Sequence, residues 1–142
     1  MLTPSDYLDK DAISLCEGLR RKDFTAEELT HSAIDRAEEV NSKINAIVTE
    51  NYEQAIIKAK HLDRNRDLFK TSPISGIPFL IKDLSTVKGL PATFGSNLFK
   101  NYTAEKSSKI VEDYIRAGLN IFGLSNTPEF GLTITTEPVA NG

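Results

Sequence analysis

The chain has 142 residues, 39% of them apolar and 26% charged, enough for one domain with a real core and without the ~20-residue apolar run of a membrane-spanning helix. Its formal net charge of −3 comes from 17 basic and 20 acidic side chains mixed along the sequence, so no basic stripe invites nucleic acid or an anionic membrane. The single cysteine, Cys16, excludes an internal disulfide, and Met1-Leu2-Thr3-Pro4-Ser5-Asp6 lacks the pattern of a secretory leader; a soluble cytoplasmic chain is expected.

Residues 11–22 carry Ala12, Ile13, Leu15, Cys16 and Leu19 at helical spacing, predicting a first amphipathic helix with Cys16 as a small apolar residue on its face. Asp23-Phe24 interrupts it. Thr25 with Glu28 three residues on is a capping-box pattern. The second helix then places Leu29, Ala33, Ile34, Ala37, Val40 and Ile44 on one face, with Glu27, Asp35, Arg36, Glu38 and Glu39 on a solvated one. Residues 45–49 read as a brief extended segment. Asn51 stands where it can cap a third helix through about residue 68, with Ala55, Ile56, Ala59 and Leu62 inward. His31 and His61 each sit in one of these helices without a second ligand at i+4, so both read as surface groups rather than metal ligands. Lys70-Thr71-Ser72-Pro73 is a loop by composition.

The run Ser75-Gly76-Ile77-Pro78-Phe79-Leu80-Ile81-Lys82-Asp83 is short, apolar and bounded by Gly and Pro, predicting a buried strand over 77–83 with a lysine at its far end. Lys82 has two readings. It marks the strand end with its stem packed and its head in solvent, or it is a desolvated amine that acts as a general base. Residues 84–95, with Gly89, Pro91 and Gly95, form an irregular loop. A fourth helix is capped by Ser107 or Ser108, turns Ile110, Val111, Tyr114 and Ile115 to one side, and ends at Gly118 in a left-handed conformation. Residues 119–124 are a second buried strand, so the strand, loop, helix, strand order implies a parallel pair. Lys82 and Ser125-Asn126 then fall at carboxyl strand ends, where the active sites of open parallel sheets lie. Leu132-Thr133-Ile134-Thr135-Thr136 alternates like a further strand. The class is α/β over one domain, 1–142, mainly helical through 71 and strand-loop-helix-strand from 72. So short a chain is expected to leave sheet edges unpaired.

Gly76-Ile77-Pro78-Phe79-Leu80-Ile81-Lys82-Asp83, then Gly89, Thr93-Phe94-Gly95-Ser96, Ala117-Gly118 and Ser125-Asn126-Thr127-Pro128-Glu129-Phe130-Gly131, together resemble the amino-terminal part of the amidase-signature hydrolases. Phe24-Thr25-Ala26-Glu27-Glu28-Leu29-Thr30 and Ile44-Asn45-Ala46-Ile47-Val48 look similar to that family's early helices, so the likeness covers nearly the whole chain. The resemblance implies helices followed by the first strands of a mixed sheet, an incomplete copy of the family fold. It also implies acyl transfer by a lysine, a bridging serine in a cis peptide and a nucleophilic serine, with Lys82 as the catalytic lysine. The family's Gly/Ser-rich segment lies beyond Thr135-Thr136-Glu137-Pro138, past the last residue, Gly142. Ser75, Ser85, Ser96, Ser107, Ser108 and Ser125 read as turn, cap or loop residues and do not replace it. An amidase that is inactive alone is therefore expected.

Ala92 and Leu124 depart from the threonine and basic residue that relatives often carry there. The run from Asn126 to Leu132 is more like bacterial hydrolases of small or cyclic amides than like the glutamine-dependent amidotransferase component that serves transfer-RNA charging. The alternatives are a fragment of that amidotransferase component, or a non-enzymatic remnant acting as an interaction module. Expected partners are a small-molecule amide and a second copy or a complementing carboxyl-terminal fragment, with no nucleic acid and no membrane. No phosphate loop, dinucleotide fingerprint or metal-spaced Cys/His set is present, so no cofactor or metal is expected.

Overall fold

The computed structural model describes Leu2 and residues 4–142; Met1 and Thr3, part of the amino-terminal stretch read above, lie outside them. The elements are α1 (Pro4–Leu8), α2 (Ala12–Arg21), α3 (Ala26–Ile44), β1 (Ile47–Glu50), α4 (Tyr52–Arg64), α5 (Leu68–Thr71), β2 (Pro78–Lys82), α6 (Lys109–Arg116) and β3 (Asn120–Ser125), with short 3-10 turns at Asn97–Phe99 and Glu129–Gly131. Among the described residues no helix is long and apolar enough to cross a membrane.

Local chemistry sets the helix boundaries. Asp11 caps α2 by accepting from the Ser14 amide at 2.8 Å, and Lys22 closes it in the left-handed region. Both halves of the Thr25/Glu28 capping box form at the start of α3. The remaining orphan amides there, of Ala26 and Glu27, donate to the Asp63 carboxylate of α4 at 2.9 and 3.0 Å. A carboxylate at a helix amino terminus is favourable on both hydrogen-bonding and dipole grounds, and this one ties α4 to α3.

The sheet has the order β1-β3-β2. β2 and β3 are parallel, with Pro78 opposite Asn120 and Lys82 opposite Ser125, while β1 runs antiparallel to β3. This is the expected open mixed sheet following helices. Successive residues of the strands alternate sides: Leu80 and Phe122 pack with Ala33, Ile34, Ala37 and Ala55 of α3 and α4, whereas Ile81 and Ile121 pack with Val111 and Tyr114 of α6. A third cluster brings Leu15, Leu19, Phe24 and Leu29 onto Phe69, Ile77 and Leu119, so residues on both sides of Thr71 share one core.

Several sequence expectations are corrected. Asn51 precedes α4, but its side chain makes no cap; it donates to the Ile121 carbonyl at 2.9 Å, while Lys58 donates to the Leu119 carbonyl at 2.7 Å. β1 pairs only with 123–125 of β3, so Asn51, at the start of α4, and Lys58, within it, serve carbonyls of β3 and of the residue before it that β1 does not reach. Burial around Lys58 pulls its ammonium below the usual lysine range. The third helix stops at Arg64, and the predicted loop at Lys70-Thr71 falls in α5 instead. Ser108 is at the amino end of α6 without making a cap bond; Ser107 instead accepts from the Lys88 amide. On α6 only Val111 is buried, with Ile110 and Ile115 exposed. Leu132 to Thr136 forms no strand: no neighbouring strand satisfies its backbone and no layer covers it, so Leu132 and Ile134 stand in solvent.

Candidate active site

Lys82 is the last residue of β2, and Ser125, the last of β3, is opposite it. The lysine side chain is exposed and has no hydrogen bond or ion pair among the described residues. Of the two roles left open by the sequence, the solvated head is the one this structure shows. Its carbonyl is fixed, accepting from the amides of Leu84 and Ser85 at 2.7 and 2.9 Å.

The next residue is the opposite case. Asp83 is 1% exposed, and its amide extends the sheet by donating to the Ser125 carbonyl at 3.0 Å. Its carboxylate accepts from the Thr93 amide at 3.1 Å and from the Thr93 hydroxyl. Burial pushes the Asp83 carboxyl above the ordinary aspartate range, against the pull of the Thr93, Phe94 and Gly95 donors. Asp83 thus folds the long loop back onto the end of β2.

That loop turns at Thr93-Phe94-Gly95-Ser96, closed by the Ser96 amide on the Thr93 carbonyl at 2.9 Å, with Phe94 at φ 53 and Gly95 at φ 69. A second turn, Glu129-Phe130-Gly131-Leu132, has Phe130 at φ 50 and Gly131 at φ 70. Consecutive positive φ values define the primed turns that usually hold Asn-Gly; a phenylalanine there costs about 1–2 kcal/mol. The two turns brace each other. The Phe130 amide donates to the Phe94 carbonyl at 2.8 Å, and the Ser96 hydroxyl donates to Glu129 Oε1 at 2.5 Å. Phe94, Phe99, Tyr102 and Phe130 form a chain of ring contacts around them. At Gly95 an added Cβ would stand 2.7 Å from the Thr127 carbonyl oxygen, so the backbones approach as only glycine allows.

The serines set aside in the sequence have structural places. Ser75 is buried against Gly118, Ser96 accepts from the Leu98 amide, and Ser125 ends β3 rather than sitting in a loop. The histidines are exposed, Cys16 is buried with its thiol pushed up by burial, and no metal-holding cluster of His, Cys, Asp or Glu occurs among the described residues. Sequence reasoning placed Asn126 with Ser125 at the carboxyl strand ends but gave no role to Asp83, Thr93, Asn45 or Asn141, which together with it knit the carboxyl end of the sheet. The available signal was the turn-forming Thr-Phe-Gly-Ser run ten residues after a strand-end aspartate.

A model of the family Amidase matches residues 28–142. The chain belongs to the amidase family. The glutamyl-tRNA(Gln) amidotransferase component of Desulfotalea psychrophila is 35% identical over 124 residues, covering 87% of this chain and 26% of that relative. The structure of 6-aminohexanoate cyclic dimer hydrolase complexed with substrate is 30% identical with a TM-score of 0.79, covering 94% of this chain and 27% of the other. Native peptide amidase from Stenotrophomonas maltophilia, 21% identical, shares the fold at a TM-score of 0.85 over 96% of this chain and 29% of its own. The chain thus spans about a quarter of the length of the curated relatives it matches and is an amino-terminal portion of the family fold. The identities to the hydrolase and to the amidotransferase component lie close together.

Proposed function

We propose that this chain carries the general base of an amide hydrolase of the Ser-cisSer-Lys type, and that the base is Lys82. The observation that carries the reading is the lysine's place: the carboxyl end of a parallel strand pair, with no partner for its side chain among the described residues. A lysine with no packing or pairing duty is free for chemistry. The Lys82 amine takes a proton from the bridging serine, which takes one from the nucleophilic serine as it attacks the amide carbonyl; backbone amides of the Gly/Ser-rich segment hold the oxyanion. The nitrogen leaves as ammonia or an amine with a returned proton, and water releases the acid from the acyl-enzyme. Both serines belong to the segment that follows this portion in the family, so the chain alone is inactive. In the completed domain the Lys82 amine is covered and uncharged, since taking an ammonium out of water costs several kcal/mol unless it is paired or deprotonated.

The substrate class is a small linear or cyclic amide, supported by the likeness to the cyclic dimer hydrolase. A second reading, the amino-terminal part of an amidotransferase component that acts on glutamine, is favoured by the 35% identity to the glutamyl-tRNA(Gln) amidotransferase relative. A cytoplasmic setting fits the unpaired Cys16. Ammonia release is measured from glutamine and from linear and cyclic amides, using the chain alone, the chain with a separately expressed carboxyl-terminal segment, and the same pairing with Lys82→Ala. The expected result is no release alone, release on pairing, and loss with Lys82→Ala; a glutamine-only response selects the second reading. Silence in every pairing, or turnover indifferent to Lys82→Ala, overturns the proposal.

A further inference from the structure

Beyond Lys82, the hydrogen bonds at the carboxyl end of the sheet converge on the chain's last residues. Asn45, left-handed at φ 45 after α3, donates from Nδ2 to the carbonyls of Asn141 at 2.6 Å and Gly142 at 3.1 Å. Asn126, just past β3, donates from Nδ2 to the Asn45 and Gly142 carbonyls, both at 3.2 Å. Its Oδ1 accepts from the Thr127 amide at 2.9 Å and its own amide donates to the Ala46 carbonyl at 2.8 Å, so the side chain is aimed by its surroundings. Asn141 Nδ2 donates to Thr93 Oγ1 at 3.0 Å, and that hydroxyl donates to Asp83, the neighbour of Lys82. Each of these three amide side chains spends its donors on main chain or on Thr93.

We propose that Asn45, Asn126 and Asn141 are positioning residues: with the Asp83–Thr93 pair they fasten residues 141–142 across the carboxyl ends of the strands and fix where the polypeptide that follows in the family enters relative to Lys82. The inference rests on the reading of Lys82 as general base. The physical need is specific. Around the chain's last residues, positions 132–137 are exposed, and a recess of about 300 Å³ opens between Asn45, Ser125, Asn126, Thr136 and Gly142. Exposed loop without apolar burial keeps one direction only through hydrogen bonds to rigid elements. Asn45 and Asn126 supply these from the ends of α3 and β3, and Asn141 closes the link to the lysine strand. A misplacement of about 1 Å between a base and its hydroxyl partner costs on the order of a hundredfold in rate, so an anchor at this point acts on the chemistry without touching substrate.

Asn126→Asp separates anchoring from folding, because it keeps the acceptor for the Thr127 amide and removes the donors to Asn45 and Gly142. In the chain itself, amide hydrogen exchange is followed at Asn141 and Gly142, whose amides donate to the Pro138 carbonyl. Asn126→Asp and Asn45→Asp are expected to speed exchange there about tenfold or more, while β2 and β3 amides are unchanged. Unprotected amides in the unaltered chain, or equal protection in the variants, overturn the anchor. In the chain continued through the family's Gly/Ser-rich segment, Asn126→Asp is expected to lower kcat about a hundredfold with KM within about twofold, and Lys82→Ala to abolish turnover. Turnover lost with Lys82→Ala but kept with Asn126→Asp overturns positioning alone. Turnover indifferent to Lys82→Ala overturns the function and the catalytic meaning of the anchor, while the exchange data still judge the anchor.

Discussion

At the amino end of the sheet, Leu15, Leu19, Phe24, Leu29, Phe69 and Leu119 close on one another, and Leu19 and Leu29 lose all contact with solvent. At the carboxyl end, Asp83, Thr93, Asn45, Asn126 and Asn141 make a lattice of directed hydrogen bonds around two turns with phenylalanines at positive φ. Between the two ends the same strands pass from burial to polar geometry. Burial is non-directional and tolerates rearrangement, whereas a hydrogen-bonded turn either has its geometry or loses it. The end proposed to receive reacting groups has the second kind of construction, and it is stable only because the first kind holds the strands beneath it.

The contrast is broken most severely from the apolar side. Leu29→Ala leaves a hole under α3 and is expected to cost about 2–5 kcal/mol in urea unfolding, removing order at both ends together. Gly95→Ala strikes the polar end alone, forcing a Cβ against the Thr127 carbonyl at a backbone conformation that L residues avoid; a loss of about 1–3 kcal/mol is expected, with proteolytic nicking in the loop rather than in the helices. The Asp83 carboxyl gives a pH signature. Because its folded pKa lies above the unfolded value, its contribution is fully present below about pH 4 and is lost as pH rises through the folded pKa. The stability of the chain minus that of Asp83→Asn should therefore decline as thermal melts move upward from acid pH; a rising difference would mean the donors outweigh desolvation. The smallest effect is expected at Lys82. Because Lys82 is exposed and has no pairing partner among the described residues, Lys82→Ala should shift stability by no more than about 0.5 kcal/mol, which separates any catalytic loss from unfolding.

Helices α2 and α3 were legible because each announces itself within a few residues: Asp11 and Thr25 sit where their side chains reach the next turn, and the α3 stripe repeats over several turns, whereas the short α1 and α5 carry no such signal. The parallel pair was legible for a similar reason, since two short apolar runs separated by a helix admit few arrangements. Asn51 and the segment from Leu132 were misread because their partners are remote. Asn51 prefers the Ile121 carbonyl to its own helix, and an alternating segment becomes a strand only beside another strand. Likewise nothing local marks Asp83 as buried and Lys82 as exposed. Adjacent strand residues point to opposite sides, and which side is covered depends on a loop that returns ten residues later.

By itself the sequence determined the longer helices, the parallel strand pair, the α/β class, the family likeness and the strand-end place of the lysine, since propensity, periodicity and capping act over one or two turns of chain. Only the tertiary structure decided that β1 closes the sheet from the far side of β3, that Asn51 and Lys58 serve main-chain carbonyls β1 does not reach, and that Asn45 and Asn126, distant in sequence, meet at Gly142 while Asn141 reaches Thr93. Those outcomes depend on which backbone groups are left without partners once the strands are laid side by side, a quantity that does not exist until the chain has folded.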